Sequence, residues 1–272
     1  MNLDFSHKTL VMGILNVTPD SFSDGGKFLE KDRAVEHGIK MALEGADIID
    51  IGGETTKPYS NSICVQEEID RVVPIIEILS RKISIPISID TTKAPVAEAA
   101  VNAGASIIND ISALKFDENM LPLAVKKKTP VILMHMQGTP ASMQQSPVYK
   151  DLIGEIKEFL KSAANAAVSG GIPENMIIVD PGIGFGKTFN DNLTIIREFN
   201  KFLSLGFPVL AGPSNKGFIG HILKIKDPSE RLTGTMAAVA ACIMNGASIV
   251  RVHRVAEAVE TVKIIDAIKY GC

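Results

Sequence analysis

The sequence predicts an α/β protein, a single (β/α)8 TIM barrel over residues 1–272, and three observations carry that prediction. Short β-branched runs alternate with longer amphipathic stretches eight times from end to end. Each run is nearly all apolar, as a parallel strand covered on both faces must be. Each run also ends in polar residues. An open doubly wound sheet uses the same βα units, but it would spread those strand ends along an edge, whereas a barrel gathers them at one C-terminal mouth. No linker, low-complexity tract or break in composition divides the chain, so one domain is expected.

The first strand is expected over Thr9–Leu15. It leads into NVTPDSFSDGG, Asn16 to Gly26, a connection whose Pro, Ser, Asp and Gly residues continue neither strand nor helix and whose length suits a lid. A helical pattern over Asp32–Glu44 then stops at Gly45. The second strand, Asp47–Ile51, exits into Gly52-Gly53-Glu54 and is followed by a helix over Gln66–Arg81. Ile85–Ile89 exits at Asp90, with a helix over Ala94–Asn102 and a stop at Gly104. Ser106–Ile108 exits at Asn109 and Asp110, before a helix over Asn119–Lys127. Pro130–Met134 exits at His135, and the helix Lys150–Val168 ends near Gly170. Met176–Val179 exits at Asp180, with a helix over Asn192–Leu203 and Gly206 after it. Pro208–Ala211 exits towards Ser214 to Lys216, and the next helix is expected over Pro228–Met244 before Gly246. The eighth strand, Ser248–Val252, carries Arg251, with His253 just beyond and a last helix over Val255–Ile268.

Composition narrows the functional classes. With 46% hydrophobic and 22% charged residues the chain can bury a large core without disulfide or metal. A net charge of −3 provides no global basic field, which argues against nucleic acid or an anionic membrane as partner. Any anion must then be held locally. Cys64, Cys242 and Cys272 lie far apart in no paired spacing, so neither a disulfide framework nor a zinc site is expected, and a reduced cytoplasm is the simplest compartment. Met1 to Lys8 lacks the pattern of a signal peptide, and no apolar run is long enough to span a bilayer.

The strand exits form a polar ring with two chemistries. Asp90, Asn109 and Asp180 offer acceptors, and buried carboxylates need donors, so a ligand rich in N–H groups such as a nitrogen heterocycle would satisfy them. Asp180 with Pro181 and Gly182 equally suits a turn. Lys216, Arg251 and His253 come from neighbouring late strands, where many barrels hold phosphate, and Arg251 and His253 share a strand face. Thr56 and Lys57 extend from the second loop towards the same anion. Asn16 is a hard oxygen ligand that diphosphate oxygens would complete around Mg²⁺, or else an ordered turn without metal. GIGFGKT, Gly182 to Thr188, fails the spacing of a nucleotide-binding phosphate loop, and its glycines read instead as room for backbone near Asp180. His135 has no companion at zinc-ligand spacing.

The strings GILNVTPDSFSDGG, DIIDIGGETT, SIDT, GASIINDISA, MHMQGTP, DPGIGFGKT and RVH together resemble the dihydropteroate synthase family along nearly the whole chain. That resemblance implies condensation of 6-hydroxymethyl-7,8-dihydropterin diphosphate with p-aminobenzoate in folate synthesis, with Mg²⁺, and implies a sulfonamide target that is cytoplasmic and homodimeric. It implies that Asp90, Asn109, Asp180, Lys216 and Arg251 bind the pterin while Met134, Phe185 and Gly212 line its pocket. Asn16, Thr56, Arg251 and His253 would hold diphosphate, Asn16 also the metal. Thr56, Lys57, Pro58, Lys216 and Gly217 would meet p-aminobenzoate. Asp90, Lys216 and Arg251 would act on a dissociative step, in which the C–O bond to diphosphate breaks and leaves a pterin-methyl cation for the aniline nitrogen.

Two segments depart from the family pattern. Lys57 stands where arginine is usual, keeping the charge and losing the planar fork. Asn215 and Gly217 stand where arginine and a hydroxyl are usual, near the expected p-aminobenzoate position. Two other readings share the pattern: a pterin-binding methyltransferase, which has no need of the diphosphate clamp, and a homologue catalytically altered by these loop changes. The Ala- and Met-rich segment Gly234–Met244 is either a surface for a second copy or barrel packing.

Overall fold

The structure is a computed structural model that describes residues 5, 8–18, 27–55 and 62–271, the backbone alone for 27–30. Among these residues eight parallel strands appear: β1 (Leu10–Asn16), β2 (Ile48–Gly52), β3 (Ile87–Asp90), β4 (Ile107–Asp110), β5 (Val131–Met134), β6 (Ile177–Asp180), β7 (Leu210–Ala211) and β8 (Ile249–Val252). They hydrogen-bond in the order β6-β5-β4-β3-β2-β1-β8-β7. A parallel bridge between Val179 and Val209, with Val179 N–H donating to the Pro208 carbonyl at 3.0 Å, joins the ends of that order and closes the ring. The closed alternative is therefore the correct one, and the open doubly wound sheet is excluded.

The helices are α1 (Lys27–Leu43), α2 (Val65–Lys82), α3 (Ala94–Ala103), α4 (Met120–Lys127), α5 (Leu152–Ser169), α6 (Phe189–Arg197), α7 (Gly217–Leu223), α8 (Leu232–Met244) and α9 (Val255–Tyr270). Two segments correct the sequence expectation. The helix expected over Asn192–Leu203 is α6 followed by a 3₁₀ stretch, Phe199–Leu205. A capping box between Thr188 and Asp191 starts α6 earlier, and the tighter 3₁₀ winding eclipses residues three apart, which turns Phe199 and Phe202 together into the core. The second correction is α7, which the sequence reading lacked. Its few residues are too short for a periodic signal, and burial of Phe218 and Ile219 stabilises it instead.

The apolar core has two parts. Outside the barrel wall, side chains from strands and helices form one large cluster. Inside it, Leu10, Met12, Ile48, Ile107, Ile132, Ile178, Leu210 and Ile249 fill the lower half of the barrel, so the interior is packed and only its upper end is open to chemistry. No helix among the described residues is long and apolar enough to cross a membrane.

Candidate active site

The polar ring follows from the packed floor by a step of two. Successive side chains on a strand point to opposite faces, so a residue two beyond an inward apolar one also points inward. Ile48 leads to Asp50, Ile107 to Asn109, Ile178 to Asp180 and Ile249 to Arg251. The first three of these polar residues are buried and the last is nearly so. Several strands also run further than expected, so that Asp90, Asn109, Asp110 and Asp180 belong to the ladders rather than to loops. Their positions are thereby fixed by backbone pairing.

Arg251 is the hub of this layer. Its Nε donates to Asp50 Oδ2 at 2.6 Å and its Nη2 to Asp90 Oδ2 at 2.7 Å, while Asn109 Nδ2 donates to the same Asp50 oxygen at 3.1 Å. Burial opposes the charge on Arg251, but Asp50 and Asp90 outweigh it and hold its pKa above the usual value. Burial raises the Asp90 carboxyl well above the carboxylate range; Arg251 pulls it down, and Asp50, Glu68 and Asp110 push it further up.

Asp180 faces this hub. Burial raises it to about 6, against the pull of the Gly182 N–H, Lys216, Lys187 and Arg251. Its Oδ1 accepts from Gly182 N at 2.7 Å, so the turn reading of D-P-G is satisfied by one oxygen, and the carboxylate still stands in the field of Lys216 and Arg251. Lys216 sits 4.1 Å above the centre of the Phe185 ring, and burial with the nearby Arg251 lowers its pKa to about 8 despite Asp180 and Asp90. An apolar wall of Ile111, Met134, Met136 and Met143, with Phe185 against it, flanks the same space.

The loop that follows Asp180 is held by Lys187, buried at 2% exposure. Its Nζ donates to the carbonyls of Phe185 at 2.8 Å and His135 at 3.3 Å and lies 3.0 Å from His135 Nδ1. Burial lowers His135 to about 3, with Lys187 adding to the effect, so this imidazole is neutral and serves packing against Phe159 and Tyr149. On the other side of the mouth, Ser214 Oγ lies 2.9 Å from His253 Nδ1 and accepts the His253 backbone N–H at 3.3 Å. When the Ser214 hydroxyl donates in this contact, His253 carries its proton on Nε2, a donor suited to an anion. Asn16 ends β1 exposed at the rim. Gly212 leaves open space where a β-carbon would stand. From Asp90, a cavity of about 240 Å³ extends between Thr91, Phe116, Thr139 and Glu54.

Of the sequence-predicted site residues, Asp90, Asn109, Asp180, Lys216 and Arg251 meet in one layer, with Met134 and Phe185 beside them. Thr56, Lys57 and Pro58 lie outside the described residues. Asn215, which stands where arginine is usual, lies in the turn that leads into α7. Its backbone has φ of 58°, a left-handed conformation that asparagine tolerates, and both its N–H and its side-chain oxygen bond to Thr235 Oγ1 on α8. Gly217 begins α7, exposed and with open space around it. The sequence reading passed over Asp50 and Lys187. Asp50 is legible from the alternation Ile48, Asp50, Gly52; Lys187 is not, because nothing in the spacing of GIGFGKT tells whether its amine turns inward or outward.

Residues 12–253 match the pterin binding enzyme family. The dihydropteroate synthase of Synechocystis sp. is 47% identical over 265 residues, covering 97% of this chain and 92% of that protein. Among solved structures, Yersinia pestis dihydropteroate synthase in a sulfonamide drug complex gives a TM-score of 0.93 at 43% identity, with 98% of this chain and 96% of that one covered. Dihydropteroate synthase from Xanthomonas albilineans in complex with 7,8-dihydropteroate gives a TM-score of 0.90 at 40% identity over the same shares of the two chains.

Proposed function

The chain belongs to the pterin binding enzymes and, within them, to the dihydropteroate synthases, and from that premise we propose how its mouth performs the condensation of 6-hydroxymethyl-7,8-dihydropterin diphosphate with p-aminobenzoate. One observation carries the reading: Arg251 bonds Asp50 and Asp90 in a layer that also holds buried Asn109 and Asp180, with Lys216 over Phe185 beside it, so acceptors for a heterocycle and cations for an anion serve one molecule. Asp180 and the Asn109 oxygen accept from the amino-pyrimidine edge of the pterin, and the ring packs between Met134 and Phe185. Lys216 donates to the ring from the side of Phe185. Arg251 and the Nε2–H of His253 face the diphosphate.

The reaction asks for charge stabilisation more than for a proton acceptor. As the C–O bond to diphosphate lengthens, negative charge grows on the leaving oxygens and positive charge spreads into the pterin. Arg251 and His253 oppose the first and Asp90 the second. The aniline nitrogen of p-aminobenzoate then attacks the methylene carbon and loses its proton to the released diphosphate or to solvent, and free diphosphate leaves. Loops one and two, with Thr56, Lys57, Pro58 and Gly217, are the proposed contacts of p-aminobenzoate, over the open side of Lys216.

Mg²⁺ fits this site as a companion of the substrate. Among the described residues no cluster of three or more His, Cys, Asp or Glu side chains stands where it would hold a metal, and the exposed Asn16 at the rim supplies a single oxygen. That donor set suits an ion whose remaining ligands are phosphate oxygens and water. Bound there, it would neutralise charge on the leaving diphosphate. Exposed Ile222 and Leu223 at the end of α7 and exposed Met244 at the end of α8 are apolar surface that a second copy of the chain would cover. Cytoplasmic residence completes the proposal.

The test is calorimetry and turnover. Pterin diphosphate should bind more tightly with Mg²⁺ than without, p-aminobenzoate should bind only after it, and dihydropteroate should form; Asn16→Ala should lose most of the Mg²⁺ effect. No dihydropteroate from saturating substrates would refute the assignment, and so would turnover of a methyl donor in its place.

A further inference from the structure

We infer that Asp50 is a positioning residue for this reaction, because one of its oxygens simultaneously aims the guanidinium of Arg251 and fixes which way the carboxamide of Asn109 faces. The inference rests on the functional reading above and adds a residue to it. Asp50 is 0% exposed on β2. Its Oδ2 reaches past the neighbouring strands in both directions, to Arg251 Nε on β8 at 2.6 Å and to Asn109 Nδ2 on β4 at 3.1 Å. No part of the Asp50 side chain is exposed, so it acts through these two residues.

Each contact has a chemical consequence. An asparagine presents a donor and an acceptor and is free to exchange them by rotation. With its NH₂ committed to Asp50, Asn109 turns its oxygen towards the ligand space, where it selects an N–H donor and rejects an acceptor. A guanidinium has five N–H donors in a rigid plane. With Nε on Asp50 and one Nη2 proton on Asp90, that plane is fixed by two bonds, and its remaining N–H groups are held towards the anion. Asp50 thus ties the specificity of the heterocycle end to the geometry of the diphosphate end.

Stability alone does not account for this carboxylate. Its Oδ1 is buried without a hydrogen-bond partner among the described residues, as is Ser88 Oγ, its register partner on β3. Such groups cost stability. Two carboxylates also share one guanidinium here, so replacing Asp50 by asparagine leaves Arg251 and Asp90 as a balanced pair rather than a lone buried charge. Loss of activity without loss of stability is the expected signature.

The experiment compares the full-length wild type with Asp50→Asn by steady-state kinetics across pH and by thermal unfolding. The expected result is a fall of at least about tenfold in kcat/KM for pterin diphosphate, the size of one charge-assisted hydrogen bond, with KM for p-aminobenzoate little changed and Tm not lowered. The acid limb of the profile should also move to lower pH. Asp90 is faced by Arg251 from β8, Asp50 from β2, Glu68 from α2, Asp110 from β4 and Lys216 at the start of α7; deleting the charge of Asp50 removes a repulsion and strengthens the pull of Arg251, and both act in one direction. Kinetics equal to wild type, or an activity loss that only follows a lowered Tm with an unmoved acid limb, would overturn the inference. Should Asp50→Asn not fold, nitrogen-15 NMR of the wild type decides: an Asn109 NH₂ signal undisturbed by 6-hydroxymethylpterin supports it, and one that shifts as a ligand contact overturns it. A wild type that makes no dihydropteroate refutes the functional reading instead, whereas an active wild type beside an equally active variant refutes the role of Asp50 alone.

Discussion

A β-carbon placed on Gly182 would lie 2.0 Å from the carbonyl oxygen of His135, and Gly182 itself has φ of 70°. Only glycine fits both the conformation and the space, and its N–H is the donor that holds Asp180 Oδ1. Gly182→Ala is therefore expected to cost about 2–4 kcal/mol in urea unfolding and to lower kcat/KM for pterin diphosphate, because the loop must move away from β5 and carry its donor with it. A variant with unchanged stability would show that the loop relaxes freely and that Asp180 needs no such support.

The two ends of the site titrate on opposite sides of neutrality. Asp180, raised to about 6 by burial, must be a carboxylate to accept from the pterin; Lys216, lowered to about 8 by burial and Arg251, must carry its proton to donate. Since kcat/KM reports the free enzyme, its profile for pterin diphosphate should rise from about pH 6 upward as Asp180 and Asp90 ionise and fall through about pH 8. In Lys216→Arg the side chain stays protonated throughout, so the alkaline limb should move upward by a unit or more even if the maximum falls. An alkaline limb that stays in place would remove Lys216 from that assignment.

Much of this was legible in the sequence because barrel chemistry is periodic. Eight apolar runs with polar exits gave the fold, and a residue such as Asp180 or Arg251 two steps beyond an inward isoleucine has little freedom about where it points. What escaped was whatever depends on contacts between distant segments. Nothing local in DIIDIGG says that Asp50 will meet Arg251 two strands over in the ring, and nothing in GFGKT says that Lys187 turns to the His135 carbonyl rather than out to phosphate. Asn215 shows the same limit: the change of residue type is plain in the sequence, whereas its bonds to Thr235 on α8 exist only in the fold. The short α7 had no periodic signal to give.

Removing the hub should expose how much it neutralises. Arg251→Met leaves Asp50 and Asp90 buried without their shared cation, a loss of about 3–5 kcal/mol for a broken buried pair. The loss should be smaller at pH 5 than at pH 8, because Asp90, already raised by burial, takes up a proton in acid and the repulsion disappears. Urea unfolding at the two pH values measures this. An equal loss at both would mean that packing of the arginine stem, not its charge, is what the fold uses. Activity towards pterin diphosphate should fall by at least about a hundredfold, since a charged contact made in the transition state is gone.

Lys187 makes the last prediction, and its sign is set by linkage. Burial lowers its pKa from the ordinary 10.5 to about 7 in the fold. Below about 7 the amine is charged both folded and unfolded, so the full penalty of burying that charge is present. Between about 7 and 10.5 the unfolded chain holds a proton that the native state has released, so the penalty fades and stability should rise with pH. Lys187→Met abolishes that rise, while leaving the carbonyls of Phe185 and His135 without their donor at a cost of about 1–3 kcal/mol. The wild type should therefore gain on the variant between pH 6.5 and pH 9.5, the difference growing steadily in urea unfolding. If the two proteins run parallel across that range, the buried amine keeps its proton, and the cation beneath Asp180 is a permanent part of the site rather than one that neutral pH removes.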